Sequence, residues 1–254
     1  MKPSILLVIV MSVATMVCVV VLGQHAHCQT VACMGHSDCR VQYQYIARDF
    51  PGLTWVANGH DSARLNQLLA WEQFDIMFIQ KELGGCPDYF EILVGTTDVE
   101  LQGLPGNRNY TSPTVFIQEL QQYIGVVLSA CPSSTVILPN VPGFNHAVLL
   151  PPASYDQGIA QRVMVYNQYE SYQVFPSQVV TVDIWTPLTM PNGWAWPQLI
   201  PYIDPDGSGW AAADARIAQV LAGYKPLGSK GATVMQGVQT LGKRTARDRE
   251  EHYL

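Results

Sequence analysis

Charged side chains are scarce in this sequence: Asp, Glu, Lys and Arg make up 13% of its 254 residues, against 48% hydrophobic residues. Basic residues are the scarcer kind. Residues 24–224 hold seven Lys or Arg and seventeen Asp or Glu, a balance of −10. An acidic surface repels the phosphates of nucleic acids and of anionic membranes. We therefore expect no nucleic acid partner, and a neutral substrate fits this charge.

Internal repeats and metal-ligand spacings are also absent from the sequence. No pair among its six histidines has the spacing of a metal site, and its six cysteines fit an oxidising compartment better than a zinc site. We predict no metal and no organic cofactor. The length suits a single α/β domain with a sizeable core.

The amino terminus has the pattern of a secretory signal. Lys2 gives it a positive start, residues 5–22 are apolar, and Gly23 is small enough to precede a cleavage site. We predict that residues 1–23 are a signal peptide and that the rest is secreted, with no stable membrane partner after cleavage. The alternative is that residues 5–22 stay as a membrane anchor.

Composition changes again near the carboxyl terminus. Residues 225–254 carry six basic and three acidic side chains, with frequent glycine and little apolar periodicity. Such a segment cannot bury enough apolar surface to fold by itself. We predict one domain at 24–224 and a basic, disordered tail at 225–254.

Cysteine usage agrees with secretion. Loss of the signal would remove Cys18 and leave five cysteines, so that one thiol stays free or pairs outside the chain. We predict that Cys33, in the first strand, is the buried free thiol, and the pairing of the others stays open. Asn109 begins an Asn-Tyr-Thr glycosylation sequon between two prolines, which indicates a surface loop.

Strand and helix patterns alternate from residue 30 onward. Short apolar runs predict five strands, at 31–34, 53–57, 90–94, 135–138 and 179–183. Helical spacing predicts five helices, at 41–49, 62–82, 114–129, 154–172 and 208–221. This alternation favours a parallel sheet with helices on both faces. We predict an α/β fold: a three-layer α/β/α sandwich around a five-stranded parallel sheet in flavodoxin-like order.

A serine stands where the first strand ends, in Gly35-His36-Ser37. A tight turn there would hold the Ser37 hydroxyl at the carboxyl edge of the sheet, where open α/β folds place their sites. Ser37 is therefore the candidate nucleophile, although the tripeptide by itself is also typical of a turn without function. The second strand is predicted to end in a turn at 58–61.

Four short blocks together resemble the SGNH hydrolases, the GDSL-type lipases and esterases. The blocks are Gly35-His36-Ser37, Asn58-Gly59, the run from Gly95 to Asp98, and the run from Asp204 to Trp210 before the last helix. The resemblance covers residues 30–222. It implies the sandwich fold, hydrolysis of esters without a cofactor, and Ser37 as nucleophile. It also implies an oxyanion site made by Ser37, Gly59 and Thr97.

Several positions depart from the family's pattern. His36 and Thr97 stand where the family has Asp and Asn, Asp204 stands at the position of the catalytic histidine, and Pro201 stands at that of its acid partner. Both partners of the serine are therefore missing. An aspartate of ordinary pKa, roughly 3.9, is too weak a base for a serine unless burial raises that pKa strongly. The resemblance thus implies impaired or relocated catalysis at Ser37 and Asp204.

Another histidine could supply the missing base. His60 directly follows Gly59 at the same sheet edge, which makes it the preferred replacement, and His146 follows the fourth strand at that edge too. His36 is expected to point away from the serine. Glu170 and Asp183 are expected to be solvated or capping groups.

Two functions remain open at this point. The first is a secreted hydrolase acting on acyl or acetyl esters of small molecules or carbohydrates, through a serine with an impaired or relocated base. The second is an inactive SGNH-fold protein that binds a carbohydrate or acyl ligand; a flavodoxin-like protein unrelated to hydrolases is a weaker third. The aromatic rings of Trp194, Trp196 and Tyr202 would either stack on a sugar or cover the sheet edge.

Overall fold

The computed structural model describes residues 29–100, 109–146, 158–201 and 204–223. The predicted signal, the predicted tail, Cys28 and the start of the helix predicted at 154–172 lie outside these ranges. Within them, no helix combines the length and the apolar character needed to cross a membrane.

Five parallel strands form one sheet. In chain order they are β1 (Thr30–His36), β2 (Thr54–His60), β3 (Tyr89–Leu93), β4 (Thr135–Pro139) and β5 (Val179–Val182). Their spatial order is β2-β1-β3-β4-β5, and every neighbouring pair is parallel. The prediction of a five-stranded parallel sheet in flavodoxin-like order is confirmed. β1 lies inside the sheet between β2 and β3, whereas β2 is an edge strand.

Helices cover both faces of the sheet. Within the described ranges they are α1 (Asp38–Tyr43), α2 (Ile46–Asp49), α3 (Leu65–Leu83), α4 (Pro113–Ala130), α5 (Ile159–Ser171), α6 (Trp185–Leu188) and α7 (Gly207–Gly223). One buried cluster joins α3, α4 and α5 to the sheet, and a second joins α1, α2, α6 and α7 to its other face. The predicted three-layer sandwich is therefore confirmed.

β1 is apolar along its length because it is buried on both faces. Ala32 and Met34 belong to the cluster of α3, α4 and α5, while Val31 and Cys33 belong to the opposite cluster. Successive side chains of a strand point to opposite faces, so neither face of β1 leaves room for a polar residue. Polar side chains follow only where the strand ends, at His36 and Ser37.

Two predicted boundaries are wrong beside that strand end. The helix predicted at 41–49 is two helices, and the first begins at Asp38 because the Ser37 carbonyl accepts the backbone N–H groups of Arg40 (2.9 Å) and Val41 (3.1 Å). The turn predicted at 58–61 is mostly strand. Residues 58–60 continue β2 because they pair in register with residues 34–36 of β1.

The structure pairs four cysteines as Cys33–Cys39 and Cys86–Cys131. The prediction that Cys33 is a free thiol is therefore wrong. α1 turns back against β1 directly after the strand, which brings the Cα atoms of Cys33 and Cys39 to 5.6 Å, a spacing typical of disulfides. This bond closes the short turn that contains Ser37.

We expect the Cys86–Cys131 bond to contribute substantially to stability. It links residues 45 apart in the sequence, and a loop of that length corresponds to about 2–4 kcal/mol of unfolding free energy. For a domain of this size, the double variant Cys86→Ala with Cys131→Ala should melt about 5–15 °C below the wild type. Thermal unfolding followed by circular dichroism measures the difference. Equal melting temperatures would show that the bond does not constrain the unfolded chain.

Candidate active site

Ser37 lies at the carboxyl edge of the sheet, at the end of the strand between β2 and β3. It follows β1 directly, has helical backbone angles (φ −55°, ψ −27°) and is half-buried at the start of α1. No hydrogen bond to its hydroxyl is found among the described residues, so the hydroxyl has no structural partner that would hold it away from a substrate. This is the position that the sequence predicted for a nucleophile.

Two glycines let the backbones of three strands approach one another at this turn. Gly35 has φ +145°, and a Cβ atom placed there would lie 1.8 Å from the Leu93 carbonyl oxygen of β3. A Cβ atom on Gly59 of β2 would lie 2.4 Å from the carbonyl oxygen of His36. Side chains at either position would force the strands apart. The ends of β1, β2 and β3 therefore converge around Ser37.

His36 and Asp38, the neighbours of Ser37 in the chain, are both buried and form one polar cluster with Thr96. The Thr96 hydroxyl donates to Asp38 Oδ2 at 3.1 Å, and the Thr96 backbone N–H donates to His36 Nε2 at 3.4 Å. His36 Nδ1 lies 3.4 Å from Asp38 Oδ2. Burial lowers the pKa of His36 to about 4, although Asp204 opposes the shift, so the ring is neutral. Both of its nitrogens face this cluster.

Asp204 contacts the same cluster from the loop before α7. Its carboxyl group engages the carboxyl group of Asp38 in a hydrogen bond and interacts electrostatically with His36. Asp38 Oδ1 is buried and has no hydrogen-bond partner among the described residues. Burial and then Asp38 raise the pKa of Asp204 to about 8. Burial also raises the pKa of Asp38.

The structure places His60 in a different contact. Its Nε2 lies 2.9 Å from Asp75 Oδ2 and 3.1 Å from Asp75 Oδ1 on α3, and the Asn58 amide donates to the same carboxylate at 2.8 Å. Its ring lies 4.7 Å from the ring of Trp71. No contact between His60 and Ser37 is found among the described residues. His60 is thus at the predicted sheet edge but engaged with a carboxylate on α3.

Thr97 and Asp98 follow β3 in a buried loop. Thr97 is 4% exposed, next to the Thr96 contacts with the cluster. Asp98 accepts the backbone N–H of Leu65 at the start of α3 (3.2 Å) and the hydroxyl of Thr111 (2.9 Å). Burial raises the pKa of Asp98 to about 6. Asp98 therefore orders the loop that positions Thr97.

The remaining sequence candidates lie apart from this cluster. His146 is exposed and meets the Trp194 ring edge-on at 4.9 Å. Asp183 is exposed and caps α6 by accepting the Thr186 backbone N–H at 2.9 Å, as expected of a capping group. Glu170 was expected to be solvated or capping, yet it is 4% exposed, because α5 turns it towards the sheet. In the described ranges, no three His, Cys, Asp or Glu side chains come together as a metal site.

The pair formed by Asp38 and Asp204 is what the sequence analysis missed. Asp38 carried no signal because nothing in the pattern around it distinguishes a buried acid from a helix-capping one. Asp204 was identified only because it stands at the position of the catalytic histidine in the SGNH pattern. That its pKa is raised follows from burial and from the carboxyl group facing it, which are tertiary features.

Solved structures share this arrangement of strands. A GDSL-like lipase from Bacteroides thetaiotaomicron superposes with a TM-score of 0.60 and 18% identity, over 77% of this chain and 88% of that chain. A member of the lipolytic G-D-S-L family from Veillonella parvula gives 0.54 and 14%, over 76% and 98%. The lipase/acylhydrolase from Enterococcus faecalis gives 0.52 and 15%, over 78% and 98%.

The chain has the fold of the SGNH hydrolases. Identities below one fifth establish the fold and leave the activity to the residues of the site. No protein-family model and no curated protein matches the sequence. Ser37 directly follows β1, Gly59 is the penultimate residue of β2, and Thr97 lies four residues after β3, all at the carboxyl edge of the sheet.

Proposed function

We propose that this chain is a carboxylic ester hydrolase in which Ser37 is the nucleophile and Asp204 is the general base. One observation carries the proposal: Asp204 interacts with His36 and Asp38, the residues on either side of Ser37. The proposed base therefore contacts both chain neighbours of the nucleophile. A base works best when its pKa lies near the working pH, and a pKa of about 8 meets that condition.

The reaction then needs no further group. Ser37 Oγ attacks the ester carbonyl while its proton passes to the Asp204 carboxylate. The negative charge on the carbonyl oxygen is stabilised by the backbone N–H group of Ser37 and by the hydroxyl of Thr97. Collapse of this intermediate breaks the bond to the alcohol, which takes the proton from Asp204. Water, deprotonated by the same carboxylate, releases the acid and restores Ser37.

Asp204 is a better candidate than His60 because of their contacts. His60 Nε2 is held by Asp75, and the pair lies against α3 together with Trp71. A base on that side would need a different side-chain orientation to reach the serine. Asp204 already contacts the polar cluster of His36, Asp38 and Thr96, whose first two members flank Ser37 in the chain.

The substrate class proposed here is a small acyl or acetyl ester, free or on a carbohydrate. The GDSL-like lipase and the lipase/acylhydrolase among the structural neighbours support an acyl ester. The aromatic segment gives less support to a sugar platform, because Trp210 is 0% exposed and Trp194 packs against the core, with Trp196 at 39% exposure. These rings mainly cover the sheet edge.

Secretion is part of the same proposal. Two disulfides are expected in an oxidising compartment and are rare in the cytosol. Asn109, the acceptor of the glycosylation sequon, is exposed, as a glycan requires. The net negative charge of residues 24–224 would also keep the enzyme from binding to anionic surfaces.

The test is hydrolysis of p-nitrophenyl acetate by the purified protein and by Ser37→Ala. Loss of the nucleophile should lower turnover by about 10³-fold or more. Ser129→Ala is the matched control, because Ser129 lies on the exposed surface of α4. It should retain wild-type turnover. Equal rates in the wild type and Ser37→Ala would contradict hydrolysis through this serine and favour a protein that only binds its ligand.

A further inference from the structure

Helix α3 is turned so that two of its acids face inward and its aromatic rings face outward. Glu72 and Asp75 are 1% and 6% exposed. Four large apolar side chains of the same helix are exposed instead: Trp71 (42%), Phe74 (73%), Met77 (64%) and Phe78 (45%). The helical spacing of apolar residues that predicts this helix includes Phe74 and Phe78, yet both lie on the surface. A contiguous apolar patch of this kind marks an interaction surface.

The patch continues onto the open edge of the sheet. A groove of about 410 Å³ lies between α1 and α3, and its lining combines two charged side chains with apolar ones: Arg40, Tyr43, Trp55, Val56, Ala57, Phe78 and Glu82. Tyr43 is itself 53% exposed. Edge strands are usually protected by lysine or proline, and β2 contains neither.

No strand of the described ranges pairs with the outer edge of β2. The Thr54 backbone N–H donates towards β1, to the carbonyl oxygen of Gln29 at 3.0 Å. Since backbone direction alternates along a strand, the N–H and C=O groups of Trp55 and Ala57 point away from β1. A partner for this surface must therefore supply hydrogen bonds as well as apolar contacts.

We propose that this surface, formed by Tyr43, β2 and the exposed face of α3, binds a second copy of the chain in a two-fold dimer. The second β2 would supply the missing backbone hydrogen bonds, as in strand addition. Lipid tails have no such groups to offer. The surface also offers both a knob and a hole. Phe74 is 73% exposed and lies one helical turn before Phe78, which lines the groove, so each copy can fill the groove of the other.

The exposed area agrees with a dimer of ordinary size. At roughly 200 Å² for each fully exposed ring or methionine, the exposed fractions of Tyr43, Trp71, Phe74, Met77 and Phe78 sum to about 550 Å² per copy. A stable interface of standard size buries about 800 Å² per partner. The walls of the groove and the edge of β2 supply the remainder.

Sedimentation velocity of the secreted protein from ~1 to ~100 µM tests this proposal. We expect a monomer–dimer equilibrium in that range, and we expect Phe74→Glu to weaken dimerisation by roughly 30-fold or more. Val174→Glu is the matched control, because Val174 is 94% exposed and lies before β5 at the opposite edge of the sheet. It should dimerise like the wild type. Both variants should keep the wild-type esterase rate.

Ala57→Pro tests the strand contact separately. A proline at Ala57 removes only an N–H group that points away from β1, so the fold tolerates it while pairing between two β2 strands is lost. A wild type that stays monomeric at the highest concentration would overturn the proposal, as would a dimer unaffected by Phe74→Glu. Binding of the monomer to phosphatidylcholine vesicles, lost in Phe74→Glu, would assign the surface to lipid instead.

Discussion

Replacing Asp204 with asparagine should lower kcat/KM for p-nitrophenyl acetate by about 10²–10⁴-fold, the usual contribution of a positioned general base. Asparagine keeps the size of the side chain and can donate to the orphaned oxygen of Asp38, so the fold should survive. It cannot accept the serine proton. The variant should therefore lose turnover without losing its melting temperature.

The pH profile identifies the base independently of the size of that loss. A base acts in its deprotonated form, so the wild-type rate should rise with pH and level off above the Asp204 pKa of about 8. A histidine base of ordinary pKa would level off above about 6.5. Steady-state kcat/KM between pH 5 and 9.5 separates the two.

His60→Ala is the matched control for this experiment. It removes the imidazole bound to Asp75 and leaves the cluster around Ser37 intact. We expect the rate and the pH profile to stay close to those of the wild type. A profile centred near pH 6.5 that disappears in His60→Ala, with Asp204→Asn still active, would transfer the role of base to His60.

The sheet could be predicted from the sequence because its strands are continuous apolar runs. β1 alternates between two buried clusters, and its run stops where the polar cluster starts. The position of Ser37 follows from that boundary together with the parallel arrangement of strands. Close approach of strands at Gly35 and Gly59 agrees with the glycines that the blocks contain.

Contacts between distant segments could not be predicted in the same way. Asp38 and Asp204 are separated by most of the domain, and the pKa of either carboxyl group depends on the other and on burial. The disulfide partner of Cys33 depends on how α1 turns back after β1. The orientation of α3 depends on inward contacts of its acids, such as the bond between Asp75 and His60. Periodicity alone places large apolar residues inward.

Raising the pH from 5 to 7 should destabilise the folded protein by several kcal/mol. Glu91 in β3 and Glu170 in α5 are buried, and burial raises the pKa of each from 4.5 to about 8. Between pH 4.5 and about pH 8, each of these two glutamates keeps in the folded chain a proton that it has lost in the unfolded chain. The free energy of unfolding then falls as pH rises, by about 1.4 kcal/mol per pH unit and group. Two such groups lose roughly 5 kcal/mol over two pH units.

Differential scanning calorimetry at pH 5, 6 and 7 should show the melting temperature falling by roughly 10–20 °C across that range. Glu170→Gln isolates one group, because glutamine has the shape of the protonated acid and does not titrate. Its melting temperature should match the wild type near pH 5 and exceed it at pH 7. Glu82→Gln, on the exposed surface of α3, is the control and should follow the wild type. A melting temperature that rises from pH 5 to 7 would mean that these carboxyl groups are ionised in the folded protein. We would then no longer expect burial to raise the pKa of Asp204 far enough for it to act as a base near neutral pH.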